Sequence, residues 1–187
     1  MEEQKSKNKI STYQMALVAL MSAVICILAP LSIPIPISAV PISFTNLAVL
    51  FVVYILGWKM GTLSYLIYVL IGLTGLPVFS GFEGGFGKLV GPTGGYIIGF
   101  ALLAVISGLF IERFPGNIFM NVVGMIIGSI VVYVFGVVWL AYQMDLTLKQ
   151  AMISGMLPYL LGDGIKIVLA AIAGPIIRKN LERAGLV

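Results

Sequence analysis

Asp163 and Lys166 stand inside a stretch that is otherwise apolar from about Ala151 to Ile177. A carboxylate accepts hydrogen bonds and an ammonium donates them. Three residues apart on a helix, the two share nearly one face. An unpaired charge in hydrocarbon costs roughly 3 kcal/mol on insertion scales, so the pair must satisfy itself or serve something else. Four uses are open to it. A structural ion pair would pin its span to the neighbours. A proton relay needs a second ionisable group inside a span, and none is there. Intramembrane aspartyl proteolysis needs two facing carboxylates. The other aspartate, Asp145, lies at a loop, and Leu160 stands where a Gly-x-Gly-Asp motif wants glycine. The fourth use is a polar clamp for a small ligand. Buried pairs are poor stabilisers beside apolar packing, which favours this one.

The elements that must hold the pair are membrane spans. The chain has 187 residues, 60% hydrophobic and 10% charged, against about 25% charged in soluble domains. It is an integral membrane protein, all-α, with length for one domain over residues 1–187 and about six spans. The net charge of +4 comes from basic residues at span ends, where topology uses them, so it does not imply nucleic acid. With no histidine and one cysteine, Cys26, disulfides within the chain are excluded and a metal site has no ligand set.

Met1–Ile10 is a polar tail carrying Lys5, Lys7 and Lys9. The apolar run after it lacks a small-residue cleavage site and reads as a first span, about Ser11–Ala29, with Ser11 as N-cap. Pro30 ends it. Leu31–Ser43 holds Pro34, Pro36 and Pro41 and no charge. So many prolines exclude helix, and the stretch is expected to be an extended loop against or within the membrane. Spans two and three are expected at about Phe44–Gly57 and Thr62–Thr74, joined by a tight turn at Trp58–Gly61. A Gly-rich loop follows over Leu76–Pro92. Span four is about Gly94–Ile111 and span five about Ile118–Tyr142. A turn marked by Asp145, Lys149 and Gln150 leads into span six.

With the N-terminus inside, eight basic residues fall on the cytoplasmic side: Lys5, Lys7, Lys9, Lys59, Arg113, Arg178, Lys179 and Arg183. Two, Lys88 and Lys149, fall outside. This positive-inside bias predicts cytoplasmic termini. The Pro-rich loop, the Gly-rich loop and the start of span six then share the outer side. Asp163 and Lys166 lie about a dozen residues into span six, roughly 18–22 Å from its outer end.

Gly87-Lys88 fails as a phosphate loop, because Phe82 stands where the first glycine is needed and Leu89 where Ser or Thr is needed. The Gly-rich loop is either a flexible connection or a cover over a small-molecule pocket. Phe79, Phe82, Phe86 and Tyr96 are expected to line such a cavity. Small residues four apart, Gly95 with Gly99 and Gly124 with Gly128, suit close helix packing. Ala16, Ala19 and Ala23 make a smooth stripe on span one, suited to docking a membrane partner. Most Tyr and Trp residues read as interfacial anchors or core. No fixed-period repeat is present, and the two halves show no corresponding broken helices, which argues against an inverted-repeat transporter.

Three motifs in order, Gly75-Leu76-Pro77-Val78-Phe79, Gly91-Pro92-Thr93-Gly94-Gly95-Tyr96 and Pro158-Tyr159-Leu160-Leu161-Gly162-Asp163-Gly164-Ile165-Lys166, give the chain its resemblance to the BioY family. Val40-Pro41-Ile42-Ser43 adds support. These are the biotin-specific substrate-binding (S) components of energy-coupling-factor (ECF) transporters. The resemblance implies a six-transmembrane-helix bundle of the ECF S-component type. It would capture biotin from outside by non-covalent binding, with no chemistry and no cofactor. It implies partners: a membrane coupling subunit (T component), docked at Ala16, Ala19 and Ala23, and two ATP-binding cassette ATPases. It implies a prokaryotic cytoplasmic membrane. Asp163 and Lys166 match the family's polar pair, and the implied ligand-binding set extends to Tyr96, Phe79, Ser43, Thr45, Asn46, Gly91 and Gly94. Where family members often carry Gln after the Val-Pro-Ile motif, this chain has Thr45 and then Asn46. Two other readings stay open: an autonomous biotin transporter or facilitator, and an S component for a different vitamin.

Overall fold

A computed structural model describes residues 11–185. The tail expected over Met1–Ile10 lies outside the described residues. Helix α1, Thr12–Leu28, starts on a capping box: Ser11 Oγ accepts from Gln14 N at 3.1 Å, and Gln14 Oε1 accepts from Ser11 N at 3.0 Å. It gives way at Pro30, where the ring forbids continuation.

The Pro-rich stretch holds no helix, as expected, and its two extended ends are paired across a turn at Pro36-Ile37. Strands β1 (Ser32–Ile33) and β2 (Ile42–Ser43) form an antiparallel ribbon with Ser32 opposite Ser43 and Ile33 opposite Ile42. This ribbon and an isolated antiparallel bridge between Phe79 and Glu83 are the departures from an all-helical chain among the described residues.

Helix α2, Thr45–Leu73, carries both the second and third expected spans. Gly57 has φ 78° and ψ −179°, a conformation open in practice to glycine alone. There the helix folds back, so that a Cβ placed on Gly61 would lie 2.8 Å from Val53 Cα. The bend is therefore at Gly57. Trp58–Gly61, expected to form the turn, begin the second arm as helix. Glu112 Oε1 accepts from Trp58 N at 2.9 Å and so caps that arm with a charge.

Helix α3 is a single short turn, Phe86–Val90, inside the Gly-rich loop. Helices α4 (Gly94–Arg113) and α5 (Ile118–Gln143) pack closely. A Cβ on Gly99 would come within 2.8 Å of Val132 Cα, and one on Gly128 within 2.8 Å of Leu103. The glycine pairs expected to permit close approach thus do so between these two helices. Ser22 on α1 donates to Ser64 O at 3.0 Å, and Ser64 donates to Val18 O at 3.2 Å, tying α1 to the second arm of α2.

The expected sixth span is broken. Helix α6, Leu148–Gly155, opens on a second capping box, Thr147 with Gln150, and ends at Met156. Helix α7, Leu157–Arg183, starts afresh with Pro158 in its first turn, where a missing N–H costs nothing. The described residues form seven helices, of which α3 and α6 are short and α2 carries two of the expected spans. Four of them (α2, α4, α5 and α7) are long and apolar enough to cross a membrane, and α1 is a shorter apolar helix. Leu161, Ile165, Val168 and Ile172 on α7, and Ile130, Val134 and Val138 on α5, are exposed. Such apolar faces suit lipid, and the chain is a multi-pass membrane protein.

Candidate functional site

One end of the bundle gathers the finish of α1, the ribbon, both ends of α2, the Gly-rich loop and the starts of α4 and α7. A cavity sits there, walled by Pro41, Ser43, Thr45, Asn46, Tyr65, Tyr68, Phe79, Tyr96, Tyr133, Tyr159, Asp163 and Lys166 among others. The other end holds the Gly57 bend, the α4–α5 turn and the finish of α7. Below these are called the cavity end and the bend end.

Asp163 and Lys166 come to the cavity by position on α7. Its outward face carries Leu161 and Ile165, and the pair lies on the face turned to α5 and the ribbon. The break at Met156 corrects their depth. Asp163 is six residues and Lys166 nine residues beyond the start of α7 at Leu157, about 9 and 14 Å along it at 1.5 Å per residue. The pair is nearer the helix start than the expected 18–22 Å, because Ala151–Gly155 belong to a separate helix.

Lys166 Nζ lies 2.8 Å from Asp163 Oδ1 and donates also to Ser43 O at 2.8 Å. Tyr133 OH donates to Asp163 Oδ2 at 2.6 Å. Both charged side chains are largely buried, 15% exposed for Asp163 and 11% for Lys166. Each carboxylate oxygen keeps a second lone pair and the ammonium keeps a third N–H. The pair is thus held in place yet not saturated.

Aromatic rings line the rest. Phe79 meets Tyr68 edge to face at 5.5 Å between centroids, and Tyr68 lies 5.5 Å from Tyr65. Phe79 is 1% exposed and rests on Gly72, where any Cβ would strike its ring. Its N–H donates to Glu83 O at 2.9 Å, while Gly81 N donates to Pro30 O at 3.1 Å. These bonds fasten the Gly-rich loop over the cavity. Tyr96 also reaches the cavity. Its ring rests on Gly136 and its hydroxyl donates to Gly155 O at 2.8 Å. Tyr159 OH donates to Val40 O.

Ser43, Thr45 and Asn46 follow one another along the cavity wall, from the end of β2 into the start of α2. Ser43 Oγ donates to Thr45 Oγ1 at 3.0 Å. Asn46 is 3% exposed, and its Oδ1 is buried with no hydrogen-bond partner among the described residues. A buried unpaired amide oxygen costs about 1–3 kcal/mol.

The expected set divides. Asp163, Lys166, Tyr96, Phe79, Ser43, Thr45 and Asn46 meet at one cavity. Gly91 and Gly94 stand behind its wall. Gly91 O accepts from Trp139 Nε1 at 2.8 Å, and Gly94 lies close against Leu89. Phe82 and Phe86, expected to line the cavity, are 63% and 64% exposed. Phe82 sits at φ 58° in the loop's turn, which swings its ring away. Sequence reasoning missed Tyr65, Tyr68 and Tyr133 as cavity residues. Tyr65 and Tyr68 lie three apart on one helix face, a signal that was present. Nothing local connects Tyr133 with Asp163. Ala16, Ala19 and Ala23 are exposed, opposite the face of α1 that buries Val18, Ser22 and Ile25.

A helical membrane bundle with a walled cavity at one end, aromatic on its sides and charged at one point, is the form of a membrane-embedded solute-binding protein. The chain belongs to the BioY family, whose profile matches residues 3–183. It is 35% identical over 167 residues to a probable biotin transporter BioY of Pyrococcus horikoshii, covering 89% of this chain and 97% of that one. It is 38% identical over 152 residues to a biotin transporter BioY of Thermotoga maritima, covering 81% and 89%. A crystal structure of the S-component for biotin from an ECF-type ABC transporter matches with a TM-score of 0.83 and 31% identity, over 96% of this chain and 94% of that one. The family consists of transporter components, and the chain is not an enzyme.

Proposed function

We propose that the chain captures biotin from outside the cell, without covalent chemistry, as the substrate-binding subunit of an ATP-driven vitamin importer. The observation that carries this reading is the Tyr133–Asp163–Lys166 cluster sharing one aromatic-lined cavity with an unpartnered amide, Asn46. Biotin's ureido group has two N–H donors and one carbonyl acceptor. The spare lone pairs of Asp163 match the donors, and the spare N–H of Lys166 matches the carbonyl. Asn46 supplies a further acceptor. Tyr65, Tyr68 and Phe79 offer apolar faces to the bicyclic ring and valeryl chain.

In this reading residues 1–187 are a single transmembrane substrate-binding domain with six crossings: α1, the two arms of α2, α4, α5 and α7. Lys59, Arg113, Arg178, Lys179 and Arg183 stand at the bend end, and Lys88 and Lys149 at the cavity end. That asymmetry supports a cytoplasmic bend end and cytoplasmic termini in a prokaryotic cytoplasmic membrane. The purified chain alone is expected to bind biotin at one site in calorimetry. Native mass spectrometry of protein from biotin-fed cells is expected to show the ligand's added mass. Binding of another vitamin in its place would reassign the ligand and leave the architecture.

The energy would come from a T component and two ATPases on other chains. The exposed stripe Ala16, Ala19 and Ala23 is the proposed docking face, because small side chains let a partner helix approach closely. Ala19→Leu is expected to prevent co-purification with the T component while biotin binding stays unchanged. Loss of biotin binding in that variant would place the stripe in the bundle instead.

A further inference from the structure

The bend end carries a second concavity, far from the ligand cavity. It opens between the first arm of α2, the α4–α5 turn and the last turns of α7, and holds about 680 Å³ of open space. Its polar lining is mixed in sign. Arg178 and Lys179 come from α7, with Glu182 one turn on, and Glu112 comes from the end of α4. Arg178 is partly engaged: its Nε pairs with Glu182 at 2.9 Å, and its Nη1 donates to Tyr54 O at 3.3 Å. Lys179 is exposed and makes no ion pair with a described residue.

The inner wall of this cleft holds a polar group with an unmet need. Asn121 is 2% exposed and hydrogen-bonds Tyr54 OH at 2.9 Å through one amide atom. The other amide atom is buried without a partner among the described residues. Whichever way the amide is turned, one polar atom is left over. Asn121 lies only three residues into α5, and Arg178 five residues before the end of α7. Both therefore stand near the ends of helices of 26 and 27 residues, longer than the roughly 20 that cross a bilayer core, which suits the level of lipid headgroups. Ile111 and Ile118 line the same cleft and offer apolar surface to acyl chains.

We propose that this cleft is a phospholipid site selective for a phosphoethanolamine headgroup. The phosphate meets Lys179 and the free edge of Arg178. The ammonium meets Glu112 and Glu182, and its N–H groups or the phosphate oxygens complete Asn121. An anionic headgroup without a cation leaves the two carboxylates facing negative charge. A choline headgroup carries the cation but has no N–H to donate. The inference is independent of the biotin reading.

The test uses the full chain in detergent with dioleoyl lipids that differ only in headgroup. Phosphatidylethanolamine is expected to raise the thermal-unfolding midpoint by several degrees more than phosphatidylcholine or phosphatidylglycerol. Native mass spectrometry is expected to retain one molecule of it per chain. Lys179→Gln, an exposed change, is expected to weaken that retention fivefold or more. The double change Asn121→Leu/Tyr54→Phe, which removes the unmet polar atom together with the hydroxyl that Asn121 binds, is expected to fold and to lose the headgroup preference. Equal stabilisation by all three lipids, or an unchanged preference in both variants, overturns the proposal. Soluble glycerophosphoethanolamine is expected to give no shift at millimolar concentration. A shift as large as the lipid's overturns a lipid site and assigns the cleft to a free phosphoester.

Discussion

Lys166→Met is expected to reduce biotin binding by at least about 100-fold, equivalent to about 2.7 kcal/mol, and to lower stability as well. The ammonium holds two groups at once, Asp163 Oδ1 and the carbonyl of Ser43 at the end of β2. Removing it strands a carboxylate that is 15% exposed, with Tyr133 as its remaining partner. Breaking a buried pair from one side costs about 3–5 kcal/mol in a dry interior. Here both side chains keep some exposure, so a value near or below the lower end is expected. Asp163→Asn strands the opposite charge and should behave alike. The double variant Asp163→Asn/Lys166→Met separates structure from function. With both charges gone no desolvated ion remains, so the thermal midpoint is expected to return close to the parent's while biotin binding stays lost. Recovery of binding in the double variant would reduce the pair to a structural pin. Calorimetry and thermal melts of the four proteins in one detergent close the cycle.

The parts of this fold that were legible in the sequence are those with strong local causes. Prolines 34, 36 and 41 exclude helix wherever they stand, and Leu31–Ser43 indeed holds none. Their pairing as a ribbon was not legible, since two residues per strand carry no alternation to read. Glycines four apart signalled close packing, and Gly99 meets Val132 across α4 and α5. The sequence points to a turn at Trp58–Gly61, one residue past the bend at Gly57, because Trp58-Lys59 looks like a polar turn. Its helical state depends on a distant cap, Glu112, that no local pattern discloses. The break between α6 and α7 left two signs, the Thr147-x-x-Gln150 capping box and Pro158 at a helix start. The continuous apolar run hid them.

The candidate site divides along the same line. Asp163 and Lys166 stood out because charge in an apolar span is conspicuous at any fold. Phe79 and Tyr96 were legible from loop composition, but the same argument wrongly enlisted Phe82 and Phe86. A loop has no period, so nothing in it decides which ring turns inward. Tyr133 reaches Asp163 across 30 positions of sequence, a contact made only by the packing of α5 on α7.

Asn46→Leu is expected to make the ligand-free protein more stable and the binding protein worse. Asn46 sits one residue into the first arm of α2, 3% exposed, with its amide oxygen unpaired. Without ligand, that oxygen has lost water and gained nothing, a penalty of about 1–3 kcal/mol. Leucine has nearly the same shape and no such need, so the thermal midpoint of the empty protein is expected to rise. The same change removes an acceptor from the cavity that Asp163 also lines. A ligand whose N–H groups need partners then meets methyl groups, and an unmet buried donor is costly in its turn. Biotin affinity is expected to fall roughly 10–100-fold, one to two factors of 1.4 kcal/mol. The combination is diagnostic. An asparagine serving the fold would lose stability on replacement and leave affinity nearly alone. A rise in midpoint without any loss of affinity would mean that the oxygen faces no ligand. Opposed movements of the two quantities locate the site, because a binding protein carries unmet hydrogen bonds where its ligand completes them.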